Sequence, residues 1–330
     1  LDPMLIRWSD QEDVANWTPS ATNQAGSLRV SKGTEIITIR QARQEILVFT
    51  DAALYGLQYL GAPDVWGAQL LGDNITVISP NATIYANNVA YWMGKDKFYY
   101  YDGTVKTLPC SVRSYGFNDI NPNQFDQVVC GTIEQFDEVW WFYPSTNATQ
   151  NDLYVVYNYI EAVWYYGSLS RAAWLDSDLR NYPLAATFSN NLVYHENGVD
   201  SNELGTAVAI TATITSGEFS LDEGDKFMMI NRILPDMTFV GSTAGSPSAT
   251  MTLLPLENSG SGYNNPLSAG GNSSSSVVRS ASVPIEEFTG QAFVRIRGRQ
   301  IAVKIESTGL GVTWKLGIPR IDLRPDGRRG

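Results

Sequence analysis

"AYWMGKDKFYYYDGTVKTLP", residues 90–109, places six aromatic side chains within eleven positions. Its two aromatic runs, Tyr91-Trp92 and Phe98 to Tyr101, are separated by Gly94-Lys95-Asp96 and followed by Asp102-Gly103. Because Gly and Asp mark tight turns, the pattern predicts two short strands joined by a turn. The rings could form an exposed surface that stacks on sugars or bases, or they could be packed inside a β-structure.

The same pattern recurs along the chain and favours packing inside a β-structure. Related apolar and aromatic runs begin at residues 46, 89, 139 and 184, so that successive starts are 43, 50 and 45 residues apart. A period near 45 residues, built from short β-branched and aromatic runs, is typical of β-propeller blades. Each blade packs both faces on its neighbours, which predicts that residues 30–203 form successive blades. The rings predicted to be largely buried are Trp92, Tyr100, Trp140, Trp141 and Tyr157.

Composition supports an all-β chain and excludes some functions. The chain has 330 residues, which favours two domains, with 43% hydrophobic, 12% aromatic and only 17% charged residues. No segment sustains helical spacing of apolar residues for more than about two turns. The net charge is −11, whereas proteins that grip DNA through its phosphates need an excess of Lys and Arg. No apolar run is long enough to span a bilayer, so membrane insertion is not expected.

The character of the chain changes after residue 203. Apolar and polar residues alternate in 207–215, 249–253, 292–297, 303–306 and 312–316, which is typical of strands with one solvated face. We therefore predict a β-propeller domain over 1–203 and a β-sandwich-like domain over 204–330. Residues 257–276, "ENSGSGYNNPLSAGGNSSSS", contain too little apolar surface to pack and are predicted to form a long loop.

Catalytic chemistry is largely missing from the sequence. The single histidine, His195, lies in a repeat strand and no Gly-x-Ser-x-Gly motif is present, so a catalytic triad is not expected. With Cys110 and Cys130 as the only cysteines, neither a disulfide framework nor a zinc site is indicated, and both read as ordinary thiols. We therefore predict no catalytic, cofactor-binding or metal-binding residues and no enzymatic activity.

Carboxylates do cluster, and they leave one enzymatic alternative open. A glycosidase needs two carboxylates on either side of a sugar, and some propellers are glycosidases. Acidic residues in loops are nevertheless more typical of solvated turns. The clusters are Asp10-Glu12-Asp13, Glu134-Asp137-Glu138 and Asp222-Glu223-Asp225.

Several collinear stretches resemble the tail proteins of short-tailed and related bacteriophages that form the tubular nozzle below the portal and adaptor. The resemblance extends over nearly the whole chain and is strongest before residue 170. The stretches are "RWSDQEDVANWTPSATNQAGSLRV" (7–30), "RQEILVFTDAALYGLQYLG" (43–61), "NNVAYWMGKDKFYYYDGTVKTLPCSVRSYGFNDIN" (87–121), "EVWWFYPS" (138–145), "YVVYNYIEAVWYYG" (154–167) and "GIPRIDLRPDGRR" (317–329).

This resemblance implies a non-enzymatic virion protein, assembled in the host cytoplasm, with a β-propeller and additional β domains. It implies a homo-oligomeric ring, commonly of six copies, that contacts the portal, the adaptor and tail fibre or needle proteins. DNA would pass through the lumen without specific binding, as an acidic wall favours. Family members are usually longer at the N-terminus, and the start at Leu1-Asp2-Pro3 suggests a fragment or processed product that lacks some blades.

Assembly of such a ring is expected to use the second domain. Because blades bury their apolar faces on each other, we predict that residues 204–330 supply most of the area between subunits. The candidate contact residues are Arg320, Arg324, Arg328 and Arg329, which could reach acidic surface on a neighbouring copy. The alternatives are a phage adhesin whose propeller recognises host surface glycan and, third, a glycoside hydrolase.

Overall fold

A computed structural model describes residues 2–177, 180–222, 224–256 and 280–327. The chain separates into two compact units, Leu1–Asn197 and Gly198–Gly330. The sequence placed the change after residue 203. The earlier division follows from strand pairing, because Asp200–Ser201 pairs with Val208–Ala209 and the Asp200 carboxylate accepts a hydrogen bond from the backbone N–H of Gly311 at 2.9 Å.

The first unit begins with a two-stranded ribbon and continues into four antiparallel sheets whose strands follow chain order. The ribbon contains β1 (Leu5–Trp8) and β2 (Gly26–Arg29). The first sheet contains β3 (Ile36–Gln41), β4 (Ile46–Thr50), β5 (Ala53–Gly61) and β6 (Val65–Asp73). The second contains β7 (Thr83–Ala86), β8 (Val89–Met93), β9 (Phe98–Tyr101) and β10 (Val105–Leu108). The third contains β11 (Val129–Ile133), β12 (Glu138–Tyr143), β13 (Leu153–Asn158) and β14 (Val163–Ser168), and the fourth contains β15 (Ala173–Leu175), β16 (Leu184–Ala186) and β17 (Leu192–Tyr194).

Helical structure in the described residues is short. The α-helix α1 covers Arg113–Phe117, and 3-10 helices cover Pro122–Gln127 and Glu134–Phe136. All of them lie in connections between strands of the first unit. The β-rich fold expected from composition is therefore confirmed.

The repeat found in the sequence corresponds to one position in every sheet. The runs that begin at residues 46, 89, 139 and 184 are the second strands β4, β8, β12 and β16. The turn predicted at Asp102-Gly103 connects β9 to β10, where Gly103 has a φ of +111°. Asn87 and Asn88 both have positive φ in the two-residue connection between β7 and β8. Each sheet is thus a meander of propeller-blade type.

Side chains alternate between the two faces of each sheet and thereby join neighbouring sheets. Leu47 and Phe49 of β4 pack with Trp92 of β8, while Val48 points to the opposite face, where the β1–β2 ribbon covers it. On the other face of the second sheet, Tyr91 packs with Trp141 of the third sheet. A short strand can therefore be apolar on both faces, as blades that lie between two neighbours require.

The aromatic residues singled out in the sequence are architectural. Trp92 and Trp141 are fully buried and Trp140 is 9% exposed. Tyr100 and Tyr157 are half-buried and pack against the core that the second and third sheets share. None of the five lies in solvent, so the opening stretch forms two strands of a blade rather than a stacking surface.

Trp174 packs the fourth sheet against the third. The Trp174 ring lies parallel to Trp140, with centroids 5.8 Å apart and planes at 11°, and it also contacts Phe142. Its indole N–H donates to the carbonyl of Thr132 at 2.8 Å. A Cβ at Gly131 would overlap the Trp174 ring, so the glycine in β11 permits this close approach.

The second unit is β-sandwich-like. Its strands are β18 (Asp200–Ser201), β19 (Val208–Ala209), β20 (Ala212–Thr215), β21 (Phe219–Ser220), β22 (Met228–Leu234), β23 (Met237–Thr238), β24 (Ser248–Leu256), β25 (Ala281–Glu286), β26 (Ala292–Gly298), β27 (Gln300–Ser307), β28 (Lys315–Leu316) and β29 (Arg320–Pro325). A five-stranded sheet contains β20, β21, β24, β25 and β27, and a three-stranded sheet has the order β26-β22-β29. The two sheets share one core, to which Met228 and Ile230 contribute from one side and Met251 and Ile305 from the other.

Two predicted strands of this unit differ in extent. Residues 207–215 form two strands, because β19 pairs with β18 whereas β20 pairs with β27. Residues 312–314 are not in a strand, since the Ser242 hydroxyl donates to the Thr313 carbonyl and accepts from the Thr313 N–H, which replaces ladder pairing. The loop predicted over 257–276 lies outside the described residues. The fold is all-β, with propeller-like repeats followed by a β-sandwich-like unit.

Candidate functional surfaces

A buried carboxylate lies at the junction of the third and fourth sheets. Glu138 begins β12 and is 9% exposed, and its Oε2 accepts a hydrogen bond from the Trp140 indole N–H at 2.9 Å. Burial, and then a hydrogen bond to Glu138, raise the pKa of Tyr165. An acceptor held between an indole N–H and a phenol orients those two rings. This geometry accounts for the carboxylate without a substrate.

The other carboxylates of the predicted clusters lie in turns. Glu134 opens a 3-10 turn that ends at Asp137, whose φ is +59°. The Asp10 carboxylate accepts backbone N–H groups of Gln11 and Gln24, and that of Asp13 accepts the N–H of Ala15. Such contacts are those of turn-forming residues. Asp222 pairs with Lys226, and Glu223 lies outside the described residues.

His195 follows β17 directly and packs beside the buried Arg171. The Arg171 Nε donates to His195 Nε2 at 2.8 Å, and the imidazole lies 4.5 Å from the Trp174 ring centroid. Burial, and then the Arg171 charge, lower the pKa of His195 to about 4. A neutral imidazole that accepts from a guanidinium holds the fourth sheet in place. The sequence analysis placed His195 in a repeat strand, and in the structure it lies one residue beyond the end of β17.

Both thiols are free in the structure. Cys130 is buried in β11 and Cys110 is half-buried, and burial raises the pKa of Cys110 to about 11 and that of Cys130 to about 12. Raised pKa values leave the thiols protonated at neutral pH, which makes them poor nucleophiles and poor metal ligands. Over the described ranges, no three His, Cys, Asp or Glu side chains are grouped as a metal site. Within those same ranges, no helix combines the length and apolarity needed to cross a membrane.

The fourth sheet has an outer face that is apolar and exposed. One row of side chains across this sheet consists of Trp174, Ala185 and Val193. This row faces the third sheet, because Trp174 packs in the core of that sheet. The neighbouring rows carry Leu175, Leu192 and Tyr194, with exposures of 48%, 72% and 58%. We call these three residues the blade-end face. The premise that blades have little apolar surface left for neighbours is therefore wrong for the fourth sheet.

The predicted assembly arginines fall on an edge strand. Arg320 and Arg324 belong to β29 and are exposed, whereas the intervening Ile321 and Leu323 pack into the sandwich core. The strand is thus an integral part of the unit rather than a free tail. Arg328 and Arg329 lie outside the described residues.

Three further arginines share the outward face with Arg320 and Arg324, and the sequence analysis missed them. Arg295 and Arg297 alternate along β26, and Arg232 lies on β22 between the two outer strands. The signal was the spacing Arg295-x-Arg297, which puts both side chains on one face of a strand. The five residues of this arginine face are Arg232, Arg295, Arg297, Arg320 and Arg324.

A cavity adjoins this face. It has a volume of about 440 Å³ and is lined by Leu234, Asp236, Met237, Glu287, Phe288, Thr289, Gly290, Ile318 and Arg320. Phe288 and Ile318 at its margin are 92% and 75% exposed. Apolar side chains that stand this far out of a folded unit are typical of surfaces that meet a partner.

Comparison with known proteins adds little to this description. No family model matches the chain, and no curated protein matches it. Among solved structures, Hsv2 from Kluyvelomyces marxianus is similar at 10% identity and a TM-score of 0.36, over 60% of this chain and 57% of that one. The exo-beta-1,3-galactanase from Phanerochaete chrysosporium, with galactose, is similar at 9% identity and a TM-score of 0.20, over 96% of this chain and 100% of that one. Similarities this weak say nothing about what the chain does.

Proposed function

We propose that the chain is a structural subunit of a phage tail nozzle, which assembles as a homo-oligomeric ring around the channel for DNA ejection. The observation that carries the proposal is the pair of exposed apolar surfaces, the blade-end face on the first unit and the margin of the cavity on the second. A ring subunit needs two different patches, because one patch of each copy meets a different patch of the next. The sequence resemblance to nozzle proteins supplies the biological setting.

The charge distribution supports the same role. The first unit has 21 acidic and 11 basic residues, a formal net charge of −10, and the whole chain has −11. An acidic channel wall repels the phosphates of passing DNA and does not hold it. In the proposed virion, six copies form the ring, as the resemblance to nozzle proteins implies. The ring contacts the portal, the adaptor and fibre or needle proteins.

The proposal includes the absence of catalysis. Glu138, the most buried carboxylate of the predicted acidic clusters, is engaged by the Trp140 N–H. A glycosidase requires one carboxyl group to donate a proton to the leaving oxygen while the other faces the same sugar. The proposal assigns Glu138 to packing and expects no polysaccharide turnover.

A glycan-binding adhesin is the second candidate, because one exposed tyrosine lies beside Glu138. Tyr165 of β14 is 37% exposed and shares a hydrogen bond with the Glu138 carboxylate. Amphipathic aromatic rings next to a carboxylate are suited to sugar recognition.

Native mass spectrometry of the purified chain, together with a glycan array, separates the two functions. A nozzle subunit is expected to form one closed oligomer and to leave the array empty. An adhesin domain is expected to bind a defined glycan whether or not it oligomerises. A chain that stays monomeric at every concentration and retains a glycan would contradict the nozzle proposal.

A further inference from the structure

Charge divides the chain unevenly between its two units. The first unit carries the net charge of −10, whereas residues 198–330 have 13 acidic and 12 basic residues. Five of those basic residues lie together on the outward face of the sheet β26-β22-β29. A locally basic surface therefore exists on a protein whose other unit is strongly acidic.

The geometry of the sheet brings these guanidinium groups together. Met229 pairs with Arg297 on one side and with Arg324 on the other, so that the three side chains form one row across the sheet. Arg232 pairs with Phe293 and with Asp322 in the next row. Side chains on one face recur about every 7 Å along a strand, which spaces the arginines densely.

Two of the arginines are held by neighbours. The Arg297 guanidinium lies 4.0 Å from the centroid of the buried Phe227 ring and donates to the Asp326 carbonyl at 3.0 Å. Arg232 is 3.8 Å from Asp322. Arg295, Arg320 and Arg324 have no ion pair or side-chain hydrogen bond to another described residue. These three guanidinium groups remain available to a partner.

The composition of the face indicates a protein partner rather than a nucleic acid. It contains Arg, Met229 and the 72% exposed Phe293 but no lysine, and Arg, Met and Phe are enriched in protein interfaces whereas Lys is depleted. The adjoining cavity, bordered by Phe288 and Ile318, offers a place for an apolar side chain of the partner.

We propose that the arginine face and its adjoining cavity dock onto the acidic first unit of a second copy of this chain. The inference rests on the proposed function in taking another copy as the partner, and it adds which surface makes the contact. Charge complementarity argues for that partner, since the chain itself carries 21 carboxylates on its first unit. Arginine can pair with a carboxylate through two parallel hydrogen bonds. Such pairs fix the relative orientation of the two surfaces in addition to attracting them.

Sedimentation velocity of the full chain tests the contact. We would compare the wild type with Arg320→Glu/Arg324→Glu and with Lys226→Glu/Lys315→Glu, a control pair that changes the net charge equally but lies off the arginine face. Circular dichroism would verify that each variant is folded. Reversal on the face is expected to weaken self-association at least tenfold, as loss of about 1.4 kcal/mol does, and the control pair is expected to change it less than about threefold.

Salt and a DNA probe complete the test. Wild-type association should weaken between about 0.1 M and about 1 M NaCl, where the Debye length falls from about 10 Å to about 3 Å. Oligomers that persist unchanged in Arg320→Glu/Arg324→Glu would overturn this inference and leave the nozzle proposal intact, whereas a wild type without oligomers would defeat the nozzle proposal itself. Tight binding of a duplex DNA oligonucleotide that is lost only in the face variant would overturn it in favour of a nucleic-acid surface.

Discussion

The indole N–H of Trp141 donates a hydrogen bond to the carbonyl of Ala82 at 3.1 Å, which links the third sheet to the segment that leads into the second. Trp92, equally buried between the first and second sheets, has no acceptor for its indole N–H among the described residues. Two tryptophans with the same burial therefore differ in one hydrogen bond.

This difference predicts unequal effects of the same substitution. Trp141→Phe is expected to destabilise the first unit by about 1 kcal/mol more than Trp92→Phe, because only the former loses a hydrogen bond. Urea unfolding measured by tryptophan fluorescence checks the difference. Equal losses in the two variants would show that the Ala82 contact contributes nothing to stability.

His195 predicts a pH dependence. Its pKa is about 4 in the folded chain and about 6.5 when unfolded, so the unfolded chain binds more protons in between and stability falls as the pH drops from about 6.5 to about 4. Between pH 7 and about pH 4, we expect the free energy of unfolding to fall by about 2 kcal/mol more in the wild type than in His195→Gln. Urea unfolding at each pH measures this difference. Parallel pH profiles for the two proteins would contradict the neutral imidazole beside Arg171.

The third prediction is that Glu138 contributes to stability and not to catalysis. Glu138→Ala leaves the buried Trp140 N–H without its acceptor and is expected to cost about 1–3 kcal/mol in the free energy of unfolding. Glu134→Ala, at an exposed turn, should remain within about 0.5 kcal/mol of the wild type. Reducing-sugar assays on polysaccharides should stay at background for all three proteins, and turnover abolished by Glu138→Ala would instead identify an enzyme.

The blade-end face predicts a defect in association. Leu192→Asp places a charge on a face that a neighbour would cover, so oligomers are expected to weaken while the melting temperature stays the same, because Leu192 is 72% exposed. Leu60→Asp, at a 59% exposed hairpin position, is the matched control. Size-exclusion chromatography with light scattering compares them. Identical profiles for the two variants would remove the blade-end face from the account.

The sequence predicted the blades because their information is local. A run such as Val89 to Met93 has turn residues directly before and after it, Asn87-Asn88 and Gly94, and its spacing from the other runs reveals the repeat. Of the arginine face, only Arg320 and Arg324 could be predicted from the sequence. The strands β22, β26 and β29 are far apart in the chain, and no local pattern specifies that they pair. The exposure of the blade-end face could not be predicted either, because Leu192 and Tyr194 occupy the same positions in the sequence pattern as the buried residues of other blades. Whether an apolar face is covered depends on what lies beside it.

The measurement that tests the central claim most directly is a cryo-EM reconstruction of the purified chain in its assembled form. The account predicts a closed ring in which every subunit meets its neighbours through two different surfaces, with a channel along the axis. Particles that consist only of single chains, or of open aggregates without a channel, would contradict it.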